Sequence, residues 1–464
     1  MSRKGNFMST FQDRLSWRGD AAYERERVEP VFNARKPERY PVAILKAESE
    51  EDVILGVQLA RRSGLKVSVR SGGHSWAGWS VRDDALLIDL AGIHEMTLDA
   101  DASLVRVSPA VRGGELNQFL AEHGLMFPSG HCPTVGLGGF LLQGGMGWNC
   151  RGWGWACERI AAIDVVTAVG ELVRADETQN TDLLWAARGA GPGYFGIVTR
   201  FHLRVCPLPQ AMAQSTYVYT LDYFDEVMRW LHEIHPTLAP SVEVVAVGAT
   251  VPLPPEIEHS GPALVVHGLT FSDTRAEALA VLAPFETCPV VERALVRAVA
   301  QPTTLALEYE EQLRANPASY RYAVDNMWSN AGTDELLPAL RDAFTTLPTP
   351  ESFSLWFGMA PQRPLPDMAL SLQADLYFAS YVVWKDQSDD QRCRNWLARQ
   401  MRRLEPLTEG LFLADSDFTA RPARFLSPAH WQRLEALRAL YDPDGLFHSY
   451  LAAPDSQLNV NPWV

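Results

Sequence analysis

Two stretches of this 464-residue chain bring nucleophilic side chains and clustered glycines together. The first, Val69-Arg-Ser-Gly-Gly-His-Ser75, follows a strand pattern at Leu65 to Val69. Arg70, Ser71, Gly72, Gly73, His74 and Ser75 form its turn. Paired glycines let a backbone approach a ligand closely and turn successive N–H groups toward one point, a cradle suited to a diphosphate. The same residues would equally serve a tight turn carrying a surface histidine. The second stretch, Phe127 to Gly147, holds seven glycines in 21 residues, with Cys132, Thr134 and Val135 among them. Glycine costs a helix about 1 kcal/mol relative to alanine, so a loop is expected there. Its Leu, Phe and Met side chains suit burial against something flat better than a flexible linker. It has no GxGxxG entering a helix, so a Rossmann nucleotide site fits poorly. A third segment, Gly189 to Phe201, joins a helix to a strand with further close-approach glycines.

The elements that must position these residues alternate between helix and strand periods. Ser49 can cap a helix with the stripe Val53, Val57 and Ala60, and Gly64 ends it. Strands are expected at Ala85 to Leu90, Leu104 to Val107, Ile163 to Thr167, Glu171 to Val173 and Ile197 to Val205. Short helices are expected at Gly114 to His123 and Thr181 to Arg188. Pro207 and Pro209 mark a boundary near 206–212. Beyond it, amphipathic helices (Tyr223 to Ile234, Thr274 to Leu282) alternate with strand-like runs at Val242 to Val247, Ala263 to Leu269, Ser352 to Phe357 and Leu370 to Val383. That pattern predicts helices layered on an antiparallel sheet, an α+β fold. The expected organisation is residues 1–208, a second unit at 209–415, and a returning segment at 416–464 with a helix from Ala429 to Tyr441.

Composition narrows the function. A net charge of −15 without a basic patch argues against nucleic acid. No apolar run approaches the roughly 18 residues a spanning helix needs. The first eleven residues lack a signal peptide's apolar core, and Met8 could be a native start. The six cysteines form no CxxC pair, which argues against a zinc site or a disulfide framework and for reduced thiols in the cytoplasm.

Together the three glycine-rich segments resemble the FAD-linked oxidases of the vanillyl alcohol oxidase / p-cresol methylhydroxylase superfamily, in the berberine bridge enzyme-like branch. Arg70 to Ser75 matches the family's histidyl-flavin loop, Gly130 to Gly147 its Gly-X-Cys-Pro-Thr-Val-Gly-X-Gly-Gly loop, and Gly193 to Thr199 its Asn-Phe-Gly-Ile-Val-Thr segment. Leu376 to Trp384 looks like a strand of the substrate sheet, and Tyr441 to Phe447 like the C-terminal Tyr-Asp-Pro motif. The resemblance implies a two-subdomain FAD-binding domain followed by a substrate domain. It implies FAD bonded through His74 at the 8α carbon and through Cys132 at C6. Gly136, Gly138, Gly139, Gly144, Gly145, Gly147, Gly196, Ile197 and Val198 would line that cofactor. Val135 would stand beside the flavin carbon that meets dioxygen, where a valine implies an oxidase and a leucine a dehydrogenase.

Several positions depart from the family. Phe412 stands where many members carry the tyrosine that helps deprotonate substrate, and Tyr450-Leu451 replaces Asn-Gln. Alternation along the strand puts Gln373, Asp375, Tyr377, Ala379 and Tyr381 on one face, so Asp375 or Tyr377 is the candidate base, with Tyr450 in reserve. Which face looks inward stays open. Trp76, Trp79, Trp148, Trp153 and Trp155 would suit an aromatic-walled pocket or simply a core. The expected partners are a small-molecule substrate and dioxygen. A dehydrogenase, an oxidative cyclase and a flavin-binding module without turnover are the alternatives; the missing tyrosine at Phe412 motivates the last.

Overall fold

The stripe of Val53, Val57 and Ala60 folds as the helix Glu50–Ser63, with Ser49 Oγ accepting from the Asp52 N–H at 3.2 Å and Gly64 closing it at φ 65°. The computed structural model describes residues 11–451 apart from 100 and 102, so the expectations for residues 1–10 and for the tail after 451 lie outside the described residues. The helix packs on a four-stranded sheet ordered Leu15–Trp17, Ala43–Lys46, Ala85–Asp89, Lys66–Arg70, whose last three strands run parallel. His74 therefore leaves the carboxyl end of a parallel strand, where α/β sheets place their ligands. Arg70 secures that end, because its guanidinium is buried against Asp89 at 2.6 Å and against the carbonyls of Glu26 and Arg27.

A second, five-stranded antiparallel sheet has the order Met96–Asp99, Leu104–Val107, Gly196–Arg204, Ile160–Thr167, Leu172–Asp176. The two sheets share a buried cluster in which Val57 and Ile88 lie with Val166 and Ile197. The chain returns to the first sheet near its end: Val67 donates to the Leu446 carbonyl at 2.8 Å, and His448 donates to the Val67 carbonyl at 2.9 Å.

Residues 211–384 supply a seven-stranded antiparallel sheet, ordered Val296–Pro302, Ala211–Tyr219, Ala263–Ser272, Val242–Ala249, Phe353–Gly358, Leu376–Trp384, Arg321–Ser329. One face carries Val244, Ala246, Val266, Trp356, Phe378 and Val382. It packs with residues from the helices Phe224–Ile234, Arg275–Leu282, Thr333–Thr345 and Asp390–Leu404. The alternate residues face the other way, toward the first two sheets. The fold is α+β, with helices covering one face of an antiparallel sheet as the periodicities imply.

Two expectations fail locally. The run from Leu370 is strand only from Leu376, because the segment before it passes along another part of the chain: Leu370 N–H donates to the Arg188 carbonyl at 2.8 Å. The glycine-rich stretch is not loop throughout, since Leu137–Leu142 forms a short helix. Tertiary packing overrides propensity there. A Cβ on Gly138 would stand 2.7 Å from Ser71 Oγ, so the glycine is what lets this turn lie against the His74 loop. No described helix is long and apolar enough to cross a membrane.

Candidate active site

The His74 and Cys132 loops touch backbone to backbone. A Cβ on Gly72 would come within 2.7 Å of the Gly136 nitrogen, and one on Gly136 within 2.8 Å of the Gly72 Cα. Gly73, at φ 69°, has the Pro30 carbonyl 1.9 Å from where its Cβ would be. No L-residue with a side chain fits either place without moving main chain. Among the described residues, the N–H groups of Gly72, Gly73, His74 and Ser75 bond to nothing in the chain, so the turn presents a row of free donors.

This contact builds one wall of a cavity of about 1040 Å³. Arg70 to Ser75, Cys132, Val135, Gly136, Gly138, Gly139, Gly196, Ile197 and Val198 all line it. Facing them is the open side of the seven-stranded sheet, through Thr216, Val245, His267, Leu355, Tyr377 and Tyr381. His74 and Cys132 meet at one hydroxyl: Thr134 Oγ1 is 2.7 Å from His74 Nε2 and 3.3 Å from Cys132 Sγ. Burial, and then the Arg112 charge, lower the His74 pKa to about 4, so its imidazole is neutral and keeps a lone pair near pH 7. Phe32 stacks on that imidazole at 4.1 Å.

The opposite wall gathers around Asp415. Tyr377 and Tyr381 donate their hydroxyls to Asp415 Oδ2 at 2.7 and 2.9 Å, and Trp76 Nε1 donates to Oδ1 at 2.8 Å. Burial, and then the Asp415 charge, push both tyrosine pKa values well above the ordinary phenol value. Phe412 lines the cavity nearby. A third polar group lies deeper. His131 Nε2 meets the buried Glu243 Oε1 at 2.9 Å, while Glu243 Oε2 accepts from the Asn149 N–H at 2.8 Å. Burial works to lower the His131 pKa, but Glu243 outweighs it and the net shift is upward. Burial also raises the neighbouring Glu308 to about 7.

Other sequence candidates fall elsewhere. Asp375 precedes the strand that carries Tyr377, so the alternation does not extend to it. It lies off the cavity, where its carboxylate accepts from Gln362 at 2.8 Å and its carbonyl accepts from Met359 and Ala360. Tyr450 is buried among Trp79, Phe418, Phe425 and Trp431 and donates to the Ala190 carbonyl at 2.6 Å, which makes it a packing residue. Gly144, Gly145 and Gly147 lie behind the wall rather than on it. Gly144 and Gly145 have positive φ, and a Cβ on Gly147 would strike the Pro128 carbonyl. Trp76, Trp79 and Trp148 line the cavity, whereas Trp153 and Trp155 do not. Sequence reasoning missed Asp415 and Glu243. Asp415 sits three residues after Phe412 in a short 3₁₀ turn, and no periodicity marks it.

The residues present fit FAD. The free N–H row suits a diphosphate, and the buried Ser68 Oγ, Trp79 Nε1 and Tyr194 hydroxyl belong to cavity-lining residues and lack any partner among the described residues. Unpaired buried polar atoms are costly, and a bound polar ligand removes that cost.

Comparison with known proteins agrees. Residues 41–176 match the FAD binding domain model. The chain is 36% identical over 423 residues to the FAD-linked oxidoreductase nodO of Hypoxylon pulicicidum, covering 91% of this chain and 93% of that protein. It is 37% identical over 203 residues to the xylooligosaccharide oxidase of Thermothelomyces thermophilus, covering 43% of this chain and 39% of that protein. Among solved structures, Physcomitrella patens BBE-like 1 superposes with a TM-score of 0.81 at 19% identity, over 95% of this chain and 96% of that one.

The close approach of the two loops makes a direct prediction. Gly136→Ala inserts a methyl group against the Gly72 main chain, which cannot rotate away, at a cost of about 1–3 kcal/mol. The purified variant should carry several-fold less flavin, read from its absorbance near 450 nm relative to 280 nm. Undiminished flavin content would show that the contact is dispensable.

Proposed function

The chain belongs to the FAD-linked oxidoreductases, and we propose that it is of the berberine bridge enzyme-like branch, an oxidase whose FAD is bonded to both His74 and Cys132. The observation carrying this reading is that both side chains stand on the single Thr134 hydroxyl, across one cavity from a buried Tyr–Asp–Tyr unit. Both are nucleophiles with lone pairs, which a bond to a carbon of the electron-poor flavin, whether its 8α methyl or its ring C6, requires. In this reading the flavin part is formed by residues 1–208 with the returning segment 416–464, and residues 209–415 form the substrate part. FAD supplies a hydride acceptor for a substrate C–H beside oxygen or nitrogen, and its reoxidation by dioxygen yields hydrogen peroxide. The substrate class is an alcohol, sugar, phenol or amine.

The protein's own part is to move a proton. A substrate hydroxyl or N–H must lose its proton as the neighbouring C–H gives up hydride. Asp415 accepts three hydrogen bonds, from Tyr377, Tyr381 and Trp76, as a carboxylate can. A buried phenol does not release its proton to water, but it can hand that proton to Asp415 while taking one from substrate. Tyr377 and Tyr381 thus replace the phenol that Phe412 lacks, which weighs against a flavin-binding module without turnover. Trp76 links the unit to the His74 loop and fixes how far it stands from that wall.

Asp415→Asn keeps the shape but removes the proton acceptor. It should lower kcat by roughly 10²–10⁴ while flavin content holds. Tyr377→Phe and Tyr381→Phe then identify the phenol that meets substrate, by whichever costs as much. Wild-type turnover in Asp415→Asn would sink the relay.

Direct use of dioxygen rests on Val135, which lines the cavity between Cys132 and Gly136. One more methylene there fills space a small gas molecule would need. In stopped flow, Val135→Leu should slow reoxidation of reduced flavin by air while reduction by substrate keeps its rate. Equal reoxidation, or wild-type flavin that stays reduced for minutes in air, would argue for the dehydrogenase or cyclase alternative.

A further inference from the structure

We infer that Thr134 is the positioning residue that puts His74 and Cys132 into their bond-forming states together, an inference that rests on the covalent-flavin reading above. The hydroxyl has one proton and sits between two partners, 2.7 Å from His74 Nε2 and 3.3 Å from Cys132 Sγ. It can therefore donate to only one of them, and its direction sets the state of both.

In one direction the Cys132 S–H donates to Thr134, and Thr134 donates to His74 Nε2. The imidazole proton then lies on Nδ1 and the thiol keeps its own, so neither nucleophile has its reactive lone pair free. In the other direction His74 Nε2–H donates to Thr134, and Thr134 donates to the Cys132 sulfur. Nδ1 then carries the free lone pair, and the sulfur, once its proton has gone to solvent, accepts the Thr134 hydrogen bond. Among the described residues Nδ1 has no competing partner, and Phe32 stacked at 4.1 Å with an interplanar angle of 19° keeps the ring from turning over. The local charge is compatible: burial and Arg112 keep the imidazole neutral rather than doubly protonated.

The His74 tether exchanges a C–H of the flavin's 8α methyl group and an imidazole N–H for a C–N bond, and the Cys132 tether exchanges the ring C6–H and the thiol S–H for a C–S bond. The two electrons and two protons removed in each case go to dioxygen, which becomes hydrogen peroxide. When the bond forms at Nδ1, the proton to be lost is the one on Nε2; Thr134 takes it while passing its own proton on to the Cys132 sulfur. For Cys132, the thiol proton leaves to solvent before the sulfur bonds. One hydroxyl therefore serves both bonds, and its loss should slow both.

The test follows covalent flavin in newly synthesised full-length chains incubated with FAD in air. Denatured samples are read by in-gel flavin fluorescence over time, and flavin-bearing peptides are assigned by mass spectrometry. Thr134→Val keeps the shape and removes the hydroxyl; it should slow both bonds about ten- to a hundredfold, the worth of a hydrogen bond to a charged group. Thr134→Ser should restore both, and Thr134→Ala stands in if the valine variant folds poorly. Noncovalent FAD in the same preparations reports that the cavity is intact. Wild-type rates in both hydroxyl-free variants would overturn the proposal, as would slowing at His74 or Cys132 alone. A wild-type chain that never acquires covalent flavin would instead overturn the tether reading, and this inference with it.

Discussion

Where Gly72 lies against Gly136, two chain segments approach more closely than any side chain permits, and much of the site follows from that contact. It holds the turn after the strand Lys66–Arg70 against the segment that enters the helix Leu137–Leu142, with Gly138 lying against Ser71 as a second point of fit. The His74 and Cys132 loops are thereby fixed relative to each other to within a hydrogen bond, which is why one Thr134 hydroxyl reaches both side chains. Arg70 anchors one side through its buried pair with Asp89. On the other side, Gly113 donates to the Val135 carbonyl and Leu137 to the Val111 carbonyl, so the Cys132 loop is stitched to its neighbour as a strand would be. Its geometry comes from main chain rather than from flexible side chains.

The seven-stranded sheet supplies the opposing wall by simple alternation. Phe378 and Val382 face the helices and make a core, while Tyr377 and Tyr381 on the same strand face the cavity. Asp415 then joins the halves, since it accepts from both tyrosines of the sheet and from Trp76 of the His74 loop. A unit held between the sheet and the His74 loop has its distances set by the fold, which is the preorganisation that the proposed proton relay requires.

Much of this was legible in the residues. The Ser49 cap, the Gly64 stop and the apolar stripe between them specify one helix by local rules, and the structure follows them closely. The glycine loops could be recognised because glycine at a close approach leaves a signature that no other residue can replace. Asp375 illustrates the limit. Alternation gave the correct parity for Tyr377 and Tyr381, but where a strand begins depends on what its end packs against, and Asp375 lies one residue before that beginning. Tyr450 looked free to act, yet its hydroxyl is spent on the Ala190 carbonyl in a cluster assembled from distant segments. Asp415 was hidden for the converse reason: its partners lie 34 to 339 residues away in the chain, and no local pattern announces them.

The central claim is that the His74 and Cys132 loops hold one flavin between them by two bonds, and denaturing peptide mapping addresses it directly. Trypsin should release His74 within residues 71–82 and Cys132 within residues 113–151, since Arg70, Arg82, Arg112 and Arg151 bound those stretches. The account predicts a single yellow species in which both peptides are joined through one flavin. Two colourless peptides, with all the flavin recovered as free FAD, would contradict it.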